Sequence, residues 1–233
     1  MPSKEQKLDF TAILQGISVW ALPVLIAITF HEAAHGYVAW KLGDDTAYKL
    51  GRVNFNPLRH IDPFGTVVLP TMLLLSGAGF LFGWAKPVPV RFDQLRNPRR
   101  DMVFVAAAGP GANLILATLS ALLYNLAVFL PGTVGLWATE NLINSIVINI
   151  LLAVFNMIPL PPLDGGRVAV GLLPRPLAVR LAAVERYGMF ILIGIILLSS
   201  MSAHYGYDLN IFSRVIGPPF RLLFSFFESL AGL

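Results

Sequence analysis

The sequence has no cysteine and very little charge, and both absences narrow what the protein can be. Without cysteine the chain forms neither a disulfide nor a thiolate nucleophile, and a metal site must use nitrogen and oxygen ligands. Only 13% of the residues are charged, against about 25% in a typical soluble domain. With 56% hydrophobic residues and a mean hydropathy of +0.69, the 233-residue chain has the composition of a membrane protein.

The few basic residues indicate which partners to expect. The net charge is +4 and the pI is about 9.6, but the basic residues lie in short loops beside apolar segments, for example in 49–59 and 91–100. That placement is typical of cytoplasmic loops of membrane proteins and not of a nucleic-acid-binding surface. We therefore expect a multi-pass protein of the cell membrane, with the lipid bilayer as a partner and no nucleic acid. The sequence leaves the oligomeric state open.

Long apolar segments determine the predicted fold class. Five of them can be marked, and a sixth has the pattern of an interfacial helix or of a short final span; they are about 10–41, 63–83, 102–130, 138–160, 187–203 and 211–230. Pro23 either kinks the first segment or divides it into two pieces. We predict an all-α polytopic membrane protein with about five to six membrane segments, forming a single domain over residues 1–233.

One stretch, "FLFGWAKPVPVRF" (80–92), does not have a helical pattern. Pro87 and Pro89 stand among β-branched residues, which is typical of extended backbone. The loops 41–61 and 86–100 are both basic, so both can be cytoplasmic if the chain between them enters the membrane and returns. We therefore predict a short extended or re-entrant β-like segment within 63–91 that lines a site, because irregular backbone in lipid must be covered. The alternative is an ordinary cytoplasmic loop.

The stretch "TFHEAAHGYVAW" (29–40) carries the chemistry. His31 and His35 are one helical turn apart and can bind one metal ion, while Glu32 can take a proton from the attacking water. This His-Glu-x-x-His pattern is a zinc metalloprotease signature. The alternative is a histidine pair on a buried helix face. An apolar span favours the functional interpretation, because each ionisable group there costs about 2.5–3.5 kcal/mol and a divalent cation compensates for it.

The third zinc ligand is predicted in "FNMIPLPPLDGGRVAV" (155–170). A tetrahedral zinc that keeps one position for water needs three protein ligands. Three prolines end the preceding apolar segment, and Asp164 follows at once. Zn²⁺ with one aspartate ligand and one glutamate base has a net charge of zero. Alternatively, Asp164 caps the next helix, and this role is compatible with ligation.

Three ordered motifs carry a family resemblance: "HEAAH" (31–35), "AGPGAN" (108–113) and "NMIPLPPLDGGR" (156–167). Together they resemble the site-2 protease family of intramembrane zinc metalloproteases. The stretches "HIDPFGT" (60–66) and "FGWAKPVPV" (82–90) are similar to its compact prokaryotic branch without a PDZ domain.

The resemblance implies a zinc metalloendopeptidase that cleaves transmembrane protein substrates in or near their membrane segments. It implies one Zn²⁺ per chain and the following site residues: the metal ligands His31, His35 and Asp164, the catalytic base Glu32, and the catalytic residue Asn113, with Asn156 also facing the site. Asn113 would bond the substrate backbone or the oxyanion, or it makes only a helix–helix contact. Residues 82–90 would lie beside the substrate. From the basic loops we expect the active site toward the cytoplasmic side.

Two alternative functions and one histidine stay open. A non-proteolytic zinc-binding membrane protein, such as a transporter or a sensor, would keep the ligands but have no use for Glu32. A catalytically silent scaffold would need neither the metal ligands nor Glu32. His60, in "RHIDP", either contacts the site or is an ordinary interface histidine.

Overall fold

The computed structural model describes residues 10–75, 83–204 and 211–233, and no residue in these ranges lies in a β-strand. The all-α prediction is therefore confirmed for the described chain. The α-helices are α1 (Phe10–Lys41), α2 (Thr46–Lys49), α3 (Leu69–Leu75), α4 (Pro98–Ala127), α5 (Gly132–Asn156), α6 (Asp164–Leu172), α7 (Arg175–Ala183), α8 (Glu185–His204) and α9 (Ile211–Ala231). A π-helical turn, Pro63–Val68, precedes α3, and 3₁₀ turns lie at Pro57–Arg59 and Phe92–Gln94.

Three helices are long and apolar enough to cross a membrane, namely Leu14–Lys41, Pro98–Ala127 and Gly132–Asn156. The bent pair α7 and α8, with 60° between its two parts, makes a fourth if it is one broken span. The prediction of five to six spans is thus not confirmed in the described chain. A span needs about 20 apolar residues. The apolar helical stretch Pro63–Leu73 is shorter than that, and α9 carries charged residues.

The first apolar segment forms one helix. α1 is 32 residues long and continues through Pro23, so the alternative of two separate pieces is wrong. At 1.5 Å per residue this helix is about 48 Å long, enough to cross a bilayer and extend beyond it.

α1, α4 and α5 contact one another and form the centre of the fold, α6 lies against α4, and α9 packs on both α4 and α5. The core between α4, α5 and α9 consists of Ala117, Ala121, Ile146, Ile150, Phe227 and Ala231. Alanines on α4 let these helices approach closely, as small residues do in membrane proteins. This packing holds the histidine-bearing turn of α1 between α4 and α6.

Residues 83–91, called the strap below, have no regular secondary structure. Main-chain N–H groups at alternate positions bind three different parts of the chain: Trp84 donates to the carbonyl of Gly65 (3.1 Å), Lys86 to the carbonyl of His60 (2.9 Å) and Val88 to the carboxylate of Glu32 (2.7 Å). Because these acceptors do not belong to a neighbouring strand, the predicted β-like pairing is not confirmed. Residues 76–82 of the predicted re-entrant segment lie outside the described residues.

Candidate active site

Two helices bring the three predicted metal ligands together. His31 and His35 lie one turn apart on α1, with only 7% and 9% of their surfaces exposed, and their Nε2 atoms are 3.1 Å apart. Oδ2 of Asp164 lies 3.2 Å from Nε2 of His31 and 3.3 Å from Nε2 of His35. In the described ranges, this is the one group of histidine and acidic side chains that can hold a metal ion.

Asp164 reaches the histidines because of where α6 begins. It is the first residue of that helix, whereas Leu163 occupies the N-cap position, and no side-chain hydrogen bond caps the helix. The alternative of Asp164 as a helix cap is therefore wrong. Its carboxylate is turned toward α1 instead.

The hydrogen bonds around the two rings decide which ring nitrogen is protonated. Nδ1 of His31 lies 2.6 Å from the side-chain oxygen of Asn113, and Nδ1 of His35 lies 2.7 Å from the carbonyl of Val105. Because carbonyl oxygens only accept, the proton of each neutral ring lies on Nδ1 and each Nε2 presents a lone pair. The buried Oδ2 of Asp164 accepts no hydrogen bond. Three lone pairs therefore converge with no proton between them, which is a cation-binding arrangement.

The spacing of these three atoms suits zinc. Bonds of about 2.0–2.1 Å in tetrahedral geometry separate neighbouring ligand atoms by about 3.3 Å. The three separations here are 3.1, 3.2 and 3.3 Å. The donor set of two imidazoles and one carboxylate is also a zinc set. The residues therefore fit the predicted ion in both chemistry and spacing.

A glycine on α4 makes room for the two rings. A Cβ atom at Gly109 would lie 2.3 Å from Nε2 of His35 and 2.6 Å from Nε2 of His31. Only a residue without a side chain can occupy this position while the rings stay in place. Sequence reasoning used the "AGPGAN" stretch for its resemblance alone and did not single out Gly109.

Glu32 lies beside the ligand group and is not part of it. Its side chain is half-buried, and its Oε2 accepts the main-chain N–H of Val88 at 2.7 Å. This bond crosses from α1 to the strap and gives the carboxylate a defined orientation next to His31. Sequence reasoning placed residues 82–90 beside the substrate but did not find this contact with Glu32.

Asn113 contacts a ligand histidine and is fully buried. Its Oδ1 accepts from His31, while its Nδ2 donates to Oδ1 of Asn149 at 2.7 Å and to the carbonyl of Ala27 at 3.3 Å. Both N–H bonds of the amide are thus engaged inside the protein. In this arrangement Asn113 has no donor left for a substrate oxyanion.

The other two polar residues considered from the sequence are not among the three ligands. The amide of Asn156 donates to the carbonyl of Leu152 in its own helix at 3.0 Å. His60 is fully buried, and its Nε2 lies 3.0 Å from the carbonyl of Asn54. The main-chain carbonyl of His60 holds the strap, so its visible contacts are structural.

Comparison with known proteins places the chain in a family. The sequence profile described as Peptidase family M50 matches residues 132–199. The Bacillus subtilis (strain 168) protein named "Putative zinc metalloprotease YwhC" is 39% identical over 176 residues, which are 73% of this chain and 76% of the relative. No solved structure matches the chain significantly.

Two mycobacterial relatives share the name "Putative zinc metalloprotease Rip2". The Mycolicibacterium smegmatis protein is 28% identical over 180 residues, 76% of this chain and 66% of the relative. The Mycobacterium tuberculosis (strain H37Rv) protein is 32% identical over 141 residues, 60% of this chain and 52% of the relative.

A helical membrane protein in which a His-Glu-x-x-His helix meets a third acidic ligand is of the metalloprotease class. The chain belongs to peptidase family M50, so the site-2 protease resemblance is confirmed and the protein is a membrane metalloprotease. The alternative of a non-proteolytic zinc-binding protein is not favoured. The profile match contains Asp164 but not the histidine motif, which the described contacts bring to it.

Proposed function

We propose that this protein is an intramembrane zinc protease that hydrolyses peptide bonds within or beside the membrane segments of transmembrane protein substrates. One observation carries the proposal: the three converging ligand atoms include two from the interior of a candidate membrane span. His31 lies ten residues before the end of that span at Lys41, about 15 Å along the helix. The span is about 42 Å long and a hydrocarbon core is about 30 Å thick, so a core centred on the span includes His31, which supports a substrate bond that lies in the membrane.

The chain's residues divide the chemistry between them. His31, His35 and Asp164 would hold one zinc ion, which lowers the pKa of water and polarises the scissile carbonyl. Glu32 is the general base: it takes a proton from the attacking water and passes it to the leaving amine. Asn113 orients the ring of His31 through the bond to Nδ1 and does not itself contact the oxyanion.

The strap lies beside the base and limits how a substrate can pair with it. A substrate helix must unwind before cleavage, and an extended substrate needs partners for its freed N–H and C=O groups. The N–H of Val88 serves Glu32, while Pro87 and Pro89 have no N–H to offer. Between residues 86 and 89, a substrate that pairs along the strap can therefore use only carbonyl groups, because the N–H of Lys86 is also engaged.

The orientation follows from the basic loops. The ligands lie nearer to the Lys41 end of α1 than to its beginning, and the loop after Lys41 contains Lys49, Arg52 and Arg59. The positive-inside rule puts this loop in the cytoplasm. We therefore propose a cell-membrane protein whose active site lies toward the cytoplasmic side.

The test compares zinc content with cleavage in the purified full-length chain. The reporter is a membrane protein with a cleavable transmembrane segment, and its control carries the same residues as a tail on a soluble carrier. Glu32→Gln should keep about one zinc per chain and lower cleavage by roughly 10²–10⁴-fold. Glu140→Gln, which changes an exposed glutamate on α5, is the matched control and should behave as wild type.

Three results would contradict the proposal. If the purified wild-type protein contained no zinc, the metal centre would be contradicted. If Glu32→Gln cleaved at the wild-type rate, the assignment of Glu32 as the base would be contradicted. Equal cleavage of the soluble tail and of the membrane reporter would leave a zinc protease but contradict the intramembrane substrate class.

A further inference from the structure

Two buried asparagine side chains, joined by hydrogen bonds, form a line that runs from the ring of His31 away from the ligand group. It crosses α4 at Asn113 and reaches Asn149 on α5, and neither of these two side chains is exposed to solvent. Nδ2 of Asn149 donates to the main-chain carbonyl of Ser145 at 2.8 Å. The line therefore connects three helices and ends on a backbone group.

The backbone end of the line determines its direction. The carbonyl of Ser145 can only accept, so the NH₂ group of Asn149 must face it and Oδ1 of Asn149 must face Asn113. The NH₂ group of Asn113 then faces Asn149, and its Oδ1 faces His31. An oxygen at that place requires a proton on Nδ1 of His31, which leaves the lone pair on Nε2.

The second ligand histidine has no such line. Nδ1 of His35 bonds directly to the carbonyl of Val105, a main-chain acceptor that cannot be reversed. The acceptor for His31 is a side-chain amide, whose oxygen and nitrogen exchange places by a 180° rotation. A reversed Asn113 would present an NH₂ group to His31 and favour the proton on Nε2, where it blocks a metal ion.

We propose that Asn149 is a positioning residue of the metal centre: through Asn113 it keeps Nε2 of His31 free to bind the ion. This inference rests on the zinc site of the proposed function and adds a residue from α5, a helix that carries none of the three ligands. The carbonyl of Ala27 supports the same orientation of Asn113 through a longer contact of 3.3 Å. Loss of Asn149 should therefore weaken metal binding without abolishing it.

A packing role alone would give a different result, and α5 has a matched residue with which to separate the two. Asn144 also joins α5 to α1, because its Nδ2 donates to the carbonyl of Val19 at 3.0 Å. Like Asn149, it makes one interhelical hydrogen bond through its side-chain amide, here as the donor, but it makes no hydrogen bond with Asn113 or His31. Asn144→Leu therefore reports what the loss of one such bond does to folding alone.

The experiment measures zinc affinity by chelator competition and the absorption spectrum of the Co²⁺-loaded protein, both in detergent and without substrate. Asn149→Leu should bind zinc about tenfold more weakly, the low end of the 10–100-fold range for residues that support metal ligands. Its Co²⁺ spectrum should change as well. Asn144→Leu should keep the wild-type affinity and spectrum, even where it lowers the melting temperature as much.

A double substitution tests whether Asn149 acts through Asn113. If it does, Asn113→Leu with Asn149→Leu should bind zinc no more weakly than Asn113→Leu alone. Wild-type affinity in Asn149→Leu, the same loss of affinity in Asn144→Leu, or additive losses in the double variant would each overturn the inference. Wild-type protein without zinc is a different outcome: it overturns the proposed function, and the inference falls with it.

Discussion

Two inward-facing aspartates, Asp164 and Asp44, have opposite surroundings. Asp44 follows α1 and is fully buried, and its two oxygens accept the main-chain N–H groups of Thr46 at 3.0 Å and Arg91 at 2.6 Å. The side chain of Asp164 is 14% exposed, and its buried Oδ2 accepts no hydrogen bond and faces two imidazole nitrogens.

The difference shows how the surroundings of a carboxylate reveal its use. Main-chain donors give each oxygen of the Asp44 carboxylate a partner, and the bond to Arg91 attaches the end of the strap to the end of α1. Lone pairs beside lone pairs repel, so the position of Asp164 is favourable only with a cation between the groups. Asp44 is therefore a structural residue, and Asp164 has the surroundings of a metal ligand.

The largest effect is expected at Asp164. Asp164→Asn replaces a charged ligand by a neutral amide of the same shape, so the protein should lose zinc and cleave the membrane reporter at the background rate. The fold should remain, since no hydrogen bond to Oδ2 is lost. Zinc content by elemental analysis and the melting temperature are the two measurements. Full zinc occupancy in this variant would show that Asp164 is not a metal ligand, and its contrast with the structural Asp44 would be lost.

The second largest effect is expected for Gly109→Ala. The new methyl group would overlap Nε2 of His35 and Nε2 of His31, so the rings must shift and the three ligand atoms separate. A displacement of about 1 Å at a reacting centre costs about 10²-fold in rate. Gly111→Ala is the matched control, because a Cβ atom there meets nothing within 4 Å. Equal activity of the two variants would show that the two histidine rings can accommodate a methyl group at position 109.

Val88→Pro should have a smaller effect on cleavage. It removes the N–H that Glu32 accepts, a hydrogen bond to a charged group worth about 1.5–3 kcal/mol, so cleavage should fall about tenfold or more. Zinc should stay bound, since no ligand changes. Val90→Pro makes the same change in the same strap without touching Glu32 and should be milder. If Val90→Pro were the more damaging variant, the strap would act on the substrate and not on the base.

The smallest effect on the site is expected at Asp44, where stability changes instead. Asp44→Asn leaves one acceptor for two main-chain donors, so it should lower the free energy of unfolding by about 1–3 kcal/mol. The protein that remains folded should keep its zinc and cleave the reporter nearly as well as wild type. Loss of zinc at a temperature where this variant is still folded would mean that Asp44 also supports the metal centre.

The sequence by itself was enough for the class of protein and for the three candidate ligands that the structure brings together. Low charge and long apolar segments require a membrane, and helical periodicity puts His31 and His35 on one face whatever lies around them. Asp164 could be predicted from the sequence for a similar reason, because the prolines before it end one helix and leave it at the start of another. These features depend on composition and on near neighbours, which a linear sequence displays directly.

Only the tertiary structure decided which distant residues complete the site. The contact of Asn113 with His31 joins positions 82 apart, and that of Val88 with Glu32 joins positions 56 apart. Gly109 and Asn149 matter because α4 and α5 pack closely against α1, and nothing in their immediate sequence requires that. The predicted five to six spans are not confirmed in the described chain for a related reason: an apolar segment shows that it avoids water, whereas packing decides whether it crosses the membrane.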